Sequence, residues 1–250
     1  MTGFDHPERA PRLLGAVTIA LTAAAGSLDA VTFFAFNEVF ASTMTGNLVL
    51  LGLDVARGRW LHALEPLCAI GGYVVGLAAG TLAAGTVMRR LPWRNAVGIT
   101  LTLELALLVA VGFGWYAFDD PTEQVLRSTL LIVGAATAMG VQAAALRYVG
   151  PSGTPTNFLT GTVTNWVAGM VEPHRPRFDG NSALRILVLA VAAGAGALIQ
   201  RWDPDYLYVL PVAMVSLAIV LMALVVRMNH GGLLDGEAQF GHRSPEAARD

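Results

Sequence analysis

The chain has no lysine, and all 16 of its basic residues are arginine. This removes a phosphate-loop lysine, a Schiff-base lysine and a lysine general base at once. Cysteine is nearly absent too: Cys68 stands alone, which excludes an internal disulfide and a thiolate metal cluster. Charged residues make up 14% of the chain, against about 25% in soluble domains. A net charge of -2 offers no polyanion-binding surface, so nucleic acid is not an expected partner. The five histidines, His6, His62, His174, His230 and His242, fall in expected loops or tails without an i, i+4 pair, so no metal site is expected. No nucleophile elbow, His-Glu-x-x-His, Walker loop or dinucleotide fingerprint can be placed. The expectation is a protein with no catalytic residues and no cofactor, and not an enzyme.

What is present is apolar. Hydrophobic residues form 54% of the chain and mean hydropathy is +0.56, more apolar surface than a 250-residue core can hide, so lipid must be the solvent for much of it. Six runs are long enough to cross a bilayer as helices of about 20 residues: Leu13 to Phe36, Leu64 to Val87, Ala96 to Phe118, Ser128 to Val149, Ala183 to Ile199 and Tyr206 to Val226. Two shorter runs, Thr45 to Val55 and Phe158 to Val171, suit half-helices that re-enter the membrane. The first run follows Arg9 and Arg12 and contains Ala23-Ala24-Ala25, which mimics a signal peptide. The run continues past the alanines, however, and has a partner in the second half.

That partner is a repeated phrase. Gly26-Ser27-Leu28-Asp29 and then Thr45-Gly46-Asn47 in the first half match Gly140-Val141-Gln142 and then Thr160-Gly161-Thr162 in the second. Each half reads long, short, long, long. Such duplications around glycine-broken short segments belong to transporter-like centres, and three-span halves would be inverted across the membrane. Arginine placement favours six crossings over eight, because it puts the Arg89-Arg90-Leu91-Pro92-Trp93-Arg94 turn on the cytoplasmic side. The expected class is all-α: a polytopic helical membrane protein with six long spans, two half-helices and an internal inverted repeat. The expected layout is a cytoplasmic lead (1–12), one membrane domain (13–228, with repeats at 13–118 and 127–227) and a flexible cytoplasmic tail (229–250).

Few residues in the apolar runs can do chemistry. Asp29 lies inside the first, where a carboxylate costs roughly 2.5 kcal/mol or more. It serves either proton or cation coupling, or a helix break at Gly26-Ser27 whose freed amides it binds. Glu104 is the second acid at depth, also a proton-coupling candidate. Arg147 either snorkels to the interface or neutralises an anion. The substrate-binding candidates are Asp29, Thr45, Gly46, Asn47, Gln142, Thr160, Gly161 and Thr162. Ser42, Thr43, Thr45 and Asn47, with Thr156, Asn157, Thr160, Thr162, Thr164 and Asn165 opposite, crowd two helix starts. There hydroxyls and amides satisfy orphan N–H groups and favour an anion, or simply bond their own backbone in a close-packed helix face. Gly72, Gly76, Gly80, Gly194 and Gly196 read as close-packing faces that also permit a homo-oligomer. Pro211 is expected to kink the last span, while Pro66 near a helix start costs little.

The segments Ala25 to Phe34, Phe40 to Asn47, and Gly140-Val141-Gln142 followed by Thr160-Gly161-Thr162 resemble the YoaK-like family, a widespread group of bacterial multi-pass membrane proteins of unknown function. The resemblance implies about six spans in the inner membrane. It marks Gly26, Asp29, Thr45, Gly46, Asn47, Gly140, Gln142, Thr160 and Gly161 as family-pattern positions without roles, and brings no cofactor. Together these features lead to an expected plasma-membrane protein with both termini cytoplasmic. Its expected role is a secondary transporter or channel-like carrier of a small polar or anionic solute, with membrane lipid and that solute as partners. The alternative is a non-transporting scaffold or sensor.

Overall fold

The computed structural model describes residues 9–117, 124–149, 159–171 and 179–230. The expected N-terminal lead before residue 9, nearly all of the expected C-terminal tail, and Thr156 and Asn157 lie outside the described residues. Among the described residues eight α-helices run in order: α1 (Arg9–Ala35), α2 (Met44–Ala56), α3 (Trp60–Met88), α4 (Trp93–Ala117), α5 (Gln124–Val149), α6 (Leu159–Val171), α7 (Gly180–Trp202) and α8 (Val209–His230). A 3-10 turn, Pro204–Tyr206, precedes α8. Six stretches, Arg12–Ala35, Trp60–Met88, Trp93–Tyr116, Leu126–Val149, Gly180–Trp202 and Pro204–Met228, are long and apolar enough to cross a membrane. In lipid only closed hydrogen bonding survives, and uninterrupted apolar sequence provides it as helix.

Local chemistry sets the breaks. Gly58, at φ +70°, turns the chain between α2 and α3. Asp179 caps α7 by accepting from the Asn181 N–H at 3.0 Å. Two expectations are corrected here. Pro211 does not kink a span, because α8 starts at Val209 and leaves the proline in its first turn, where no N–H is needed. His62 lies in the first turn of α3, exposed, rather than in a loop.

α1 and α5 form the buried centre, and α7 is the least covered of the long helices. α3 packs along α5 and α1 along α7; α8 lies on α1 and α4 on α5; α2 leans on α3 and α6 on α7. The two main crossings are glycine contacts. A Cβ at Gly76 would run into the Thr137 main chain, and one at Gly140 into that of Tyr73. Across the bundle, a Cβ at Gly26 would lie 2.6 Å from the Leu189 carbonyl oxygen, and one at Gly196 2.9 Å from that of Ser27. Absent side chains let the backbones touch, which is how helices associate where lipid removes the hydrophobic drive. Gly194 differs from this pattern, having open space around it.

Helix ends fix the direction of travel. At a near end, where α1 begins, Leu14 shares one cavity with Val149 of α5 and Asn181 of α7. At the far end, Asn37 beyond α1 bonds Glu65 of α3, which also accepts from Ser128 of α5. There Trp115 of α4 meets both Phe36 and Tyr208. α1 therefore ends where α3 starts, and α5 ends where α7 starts. Neither short helix adds a net crossing.

Candidate functional site

The residues singled out in the first half converge on a short return of the chain. Beyond α1 the backbone turns at Asn37 and Glu38, which hold φ of 47° and 66°. It then dips back to the level of Asp29, about two turns inside the helix end, and α2 climbs out again. Asp29 is what the dip is built around. Its Oδ1 accepts from the Ser42 N–H at 2.6 Å, and its Oδ2 accepts from the hydroxyls of Ser42 and Thr43, each at 2.7 Å. Hydrogen bonds to a charged group contribute about 1.5–3 kcal/mol each, so three of them offset the cost of burying the carboxylate. Thr32 adds a rung, its hydroxyl accepting from the Ala41 N–H at 3.1 Å and donating to the Asp29 carbonyl at 3.3 Å.

Asn47 closes the loop from the other side. Its side-chain carbonyl accepts from the Phe40 N–H at 3.0 Å and its amide donates to the Phe40 carbonyl at 2.7 Å. Gly46 leaves room for the Phe40 ring, 3.1 Å from where a Cβ would sit. Thr45 is exposed beside them. Two sequence expectations fail on this geometry. α1 is continuous through Gly26-Ser27, with the Ser27 hydroxyl bonded to the Ala24 carbonyl inside the helix; Gly26 serves the α7 crossing. Thr43, at the N-cap of α2, gives that helix no side-chain cap, because its hydroxyl is spent on Asp29.

The second-half residues are not gathered there. Gln142 is buried in α5 and donates to the Leu21 carbonyl of α1 at 3.2 Å, tying the two central helices together. Thr160 and Gly161 are exposed and Thr162 half-buried on α6, which packs beside α7 while α2 packs beside α3. The two Thr-Gly segments therefore pack on different helices. The Thr164 hydroxyl bonds back to Thr160 within its own helix.

Glu104 is unlike all of these. It lies in α4 on the inward stripe Val97, Thr100, Leu101, Glu104, Leu108, Val111, which repeats at three and four residues and faces the bundle. It is fully buried, and among the described residues neither carboxylate oxygen has a hydrogen-bond partner. Eleven residues into the helix, it lies about 17 Å from its start and about 20 Å from its end, near the middle of the span.

Two more buried acids escaped the sequence reading. Glu65 is held by both Asn37 and Ser128, and Asp54 on α2 pairs with Arg59 at 2.5 Å. Glu65 was visible as an acid in the first turns of an apolar run, next to Pro66. Its partners were not, because they lie 28 and 63 positions away.

Long antiparallel apolar helices around two buried central ones, with acids held inside, define a polytopic helical membrane protein. Residues 17–223 match the family described as "Protein of unknown function (DUF1275)", and the chain belongs to that family. It is 26% identical over 212 residues to the UPF0700 transmembrane protein YoaK of Bacillus subtilis (strain 168), a match covering 82% of this chain and 91% of that protein. No solved structure matches significantly.

Proposed function

We propose that this protein is a proton-coupled secondary transporter of a small polar or anionic solute, with Glu104 as the group that takes and releases the proton. One observation carries the reading: a carboxyl group at mid-span, fully buried, with neither oxygen bonded among the described residues. Ionised and unpaired in that setting, it would cost several kcal/mol. It is stable in this state only as the neutral acid, so any state that lets it ionise must bring a cation, donors or water to it. That linkage between conformation and proton is what coupling requires. Asp29 is reassigned from coupling to holding α2, since its bonds are complete.

The helix directions support inverted halves. α1 and α5 run in opposite senses, and each packs through a matched glycine on the second long helix of the other half: α1 on α7, α5 on α3. Inverted halves are the architecture of many carriers.

The test uses proteoliposomes with an internal pH dye and a panel of amino acids, organic anions and polyols. A solute-driven pH change in the wild type that disappears in Glu104→Gln, while Asp29→Asn that still folds retains it, supports the reading. Solute flux with unchanged proton movement in Glu104→Gln overturns the coupling role. No flux for any solute, with no protonated-carboxyl infrared band lost in Glu104→Gln, favours the scaffold alternative.

A further inference from the structure

Arg185 makes no ion pair within 4 Å among the described residues. It lies in α7 about 8 Å from the helix start, half-buried in the cleft between α1 and α7 at the near end. Its Nη2 donates to the Thr18 hydroxyl at 3.2 Å. Thr18 sends its own proton to the Gly15 carbonyl at 2.7 Å, so it meets the guanidinium with a lone pair and steers it into the cleft. A guanidinium has five N–H donors, and this is the only bond Arg185 makes among the described residues. At the far end two arginines have partners: Arg59 pairs with Asp54, and Arg127 meets the Trp115 carbonyl and ring. Asp179, before the start of α7, is committed to the Asn181 N–H and the Ser182 hydroxyl, at 3.0 and 2.5 Å. The Ser182 bond, with a smaller contribution from the Arg185 charge, holds its carboxyl below the usual range, but no ion pair with Arg185 forms within 4 Å.

The cleft itself has a volume of about 260 Å³. Leu14, Ile19 and Val149 form apolar walls, and Thr18, Asn181 and Arg185 supply the polar side. We infer that this cleft binds a phosphate oxyanion, the unused N–H groups of Arg185 forming its fork and Asn181 a neighbouring donor. A guanidinium suits a phosphate because two parallel N–H groups match two oxygens. An acidic phospholipid headgroup and free inorganic phosphate present the same chemistry. The apolar walls favour the lipid, as in other basic pockets between membrane helices. The inference is independent of Glu104, which lies on another helix near mid-span.

The experiment is native mass spectrometry of the purified full-length protein in mild detergent, with added phosphatidylglycerol, phosphatidylcholine or inorganic phosphate. Wild type should retain phosphatidylglycerol in preference to phosphatidylcholine. Arg185→Gln should weaken that retention by about tenfold or more, the equivalent of one lost charge-assisted bond. Arg185→Lys should fall between, keeping charge without the fork. Arg147→Gln, which removes an exposed arginine from the last turn of α5, should retain the lipid as wild type does. Displacement of the lipid by millimolar phosphate, lost in Arg185→Gln, would identify the free anion as a competent ligand of the same site. Retention that is equal in wild type and Arg185→Gln, with thermal unfolding of the two also matched, overturns the proposal and leaves Arg185 as a snorkelling side chain.

Discussion

Asp29 and Glu104 are the same chemistry in opposite surroundings. Among the described residues, Asp29 has three donors on its carboxylate and Glu104 has none. Depth along the helix makes the difference. Asp29 sits about two turns from the end of α1, within reach of a chain that turns and dips back. Glu104 sits near the middle of α4, where only other helices surround it, and their backbone donors are already used in their own hydrogen bonds. An acid near a helix end can become a structural anchor. An acid at mid-span has to remain neutral until something reaches it. The largest expected effect tests the anchor: Asp29→Ala should destabilise the protein by about 3–5 kcal/mol, comparable to breaking a buried ion pair, measured by denaturant unfolding in detergent. A loss below about 1 kcal/mol would show that the dip stands without its carboxylate.

The second difference is between the two short helices. α2 is tied to the preceding loop by Asn47, whose side chain bonds both the N–H and the carbonyl of Phe40. α6 has Thr162 at the matching place in the repeated phrase, and a threonine side chain has no carbonyl and amide side by side to do this. Asn47→Thr should therefore cost about 2 kcal/mol, two hydrogen bonds' worth, in the same unfolding measurement. A loss below about 0.5 kcal/mol would mean that Phe40 keeps its place without the Asn47 amide.

Glu104 is expected to respond in the opposite sense. Glu104→Leu replaces an unsatisfied buried carboxyl with an apolar group of similar size, so it should raise stability by about 1–2 kcal/mol while abolishing any proton-linked flux. A destabilised Glu104→Leu would mean that the carboxyl has a partner in the resting protein, and would remove the observation on which the coupling proposal stands.

The spans were legible because a bilayer demands long apolar helices and the sequence has six of them; their observed ends differ from the expected ones by a few residues, mostly where α3, α4 and α7 extend into interfacial positions such as Trp60, Trp93 and Trp202. The glycine contacts of Gly72, Gly76, Gly80 and Gly196 were legible for a related reason, since small residues at helical spacing have few other uses in lipid. The role of Asp29 could not be chosen from sequence. The same aspartate fits coupling or anchoring, and only the path of residues 36–43 decides which donors arrive. Glu65 shows the same limit from the other side: its burial depends on Asn37 and Ser128, which no local pattern links to it. Glu104 was recognised as an acid at depth, but its lack of partners is a property of three packed helices and has no signature in α4 alone.

The smallest expected effect isolates the loop from the helices. Gly46 and Gly161 are each the third residue of a 13-residue helix, so alanine should add helix propensity to both, up to roughly 1 kcal/mol. Gly161 has nothing within 4 Å of a new Cβ, and Gly161→Ala should keep the full gain. At Gly46 the Cβ would come to 3.1 Å from the Phe40 ring and 3.3 Å from the Thr43 methyl. Phe40 cannot easily give way, because Asn47 holds its backbone on both sides and its ring packs on Phe33 at 5.3 Å. Gly46→Ala should therefore lose the propensity gain to crowding and come out level with wild type or up to about 1 kcal/mol less stable. The discriminating quantity is the difference between the two alanine variants, in which propensity cancels and only the surroundings of the helix start remain. A difference near zero would mean that Phe40 moves freely, and a loop that moves freely is not one that Asp29 and Asn47 hold.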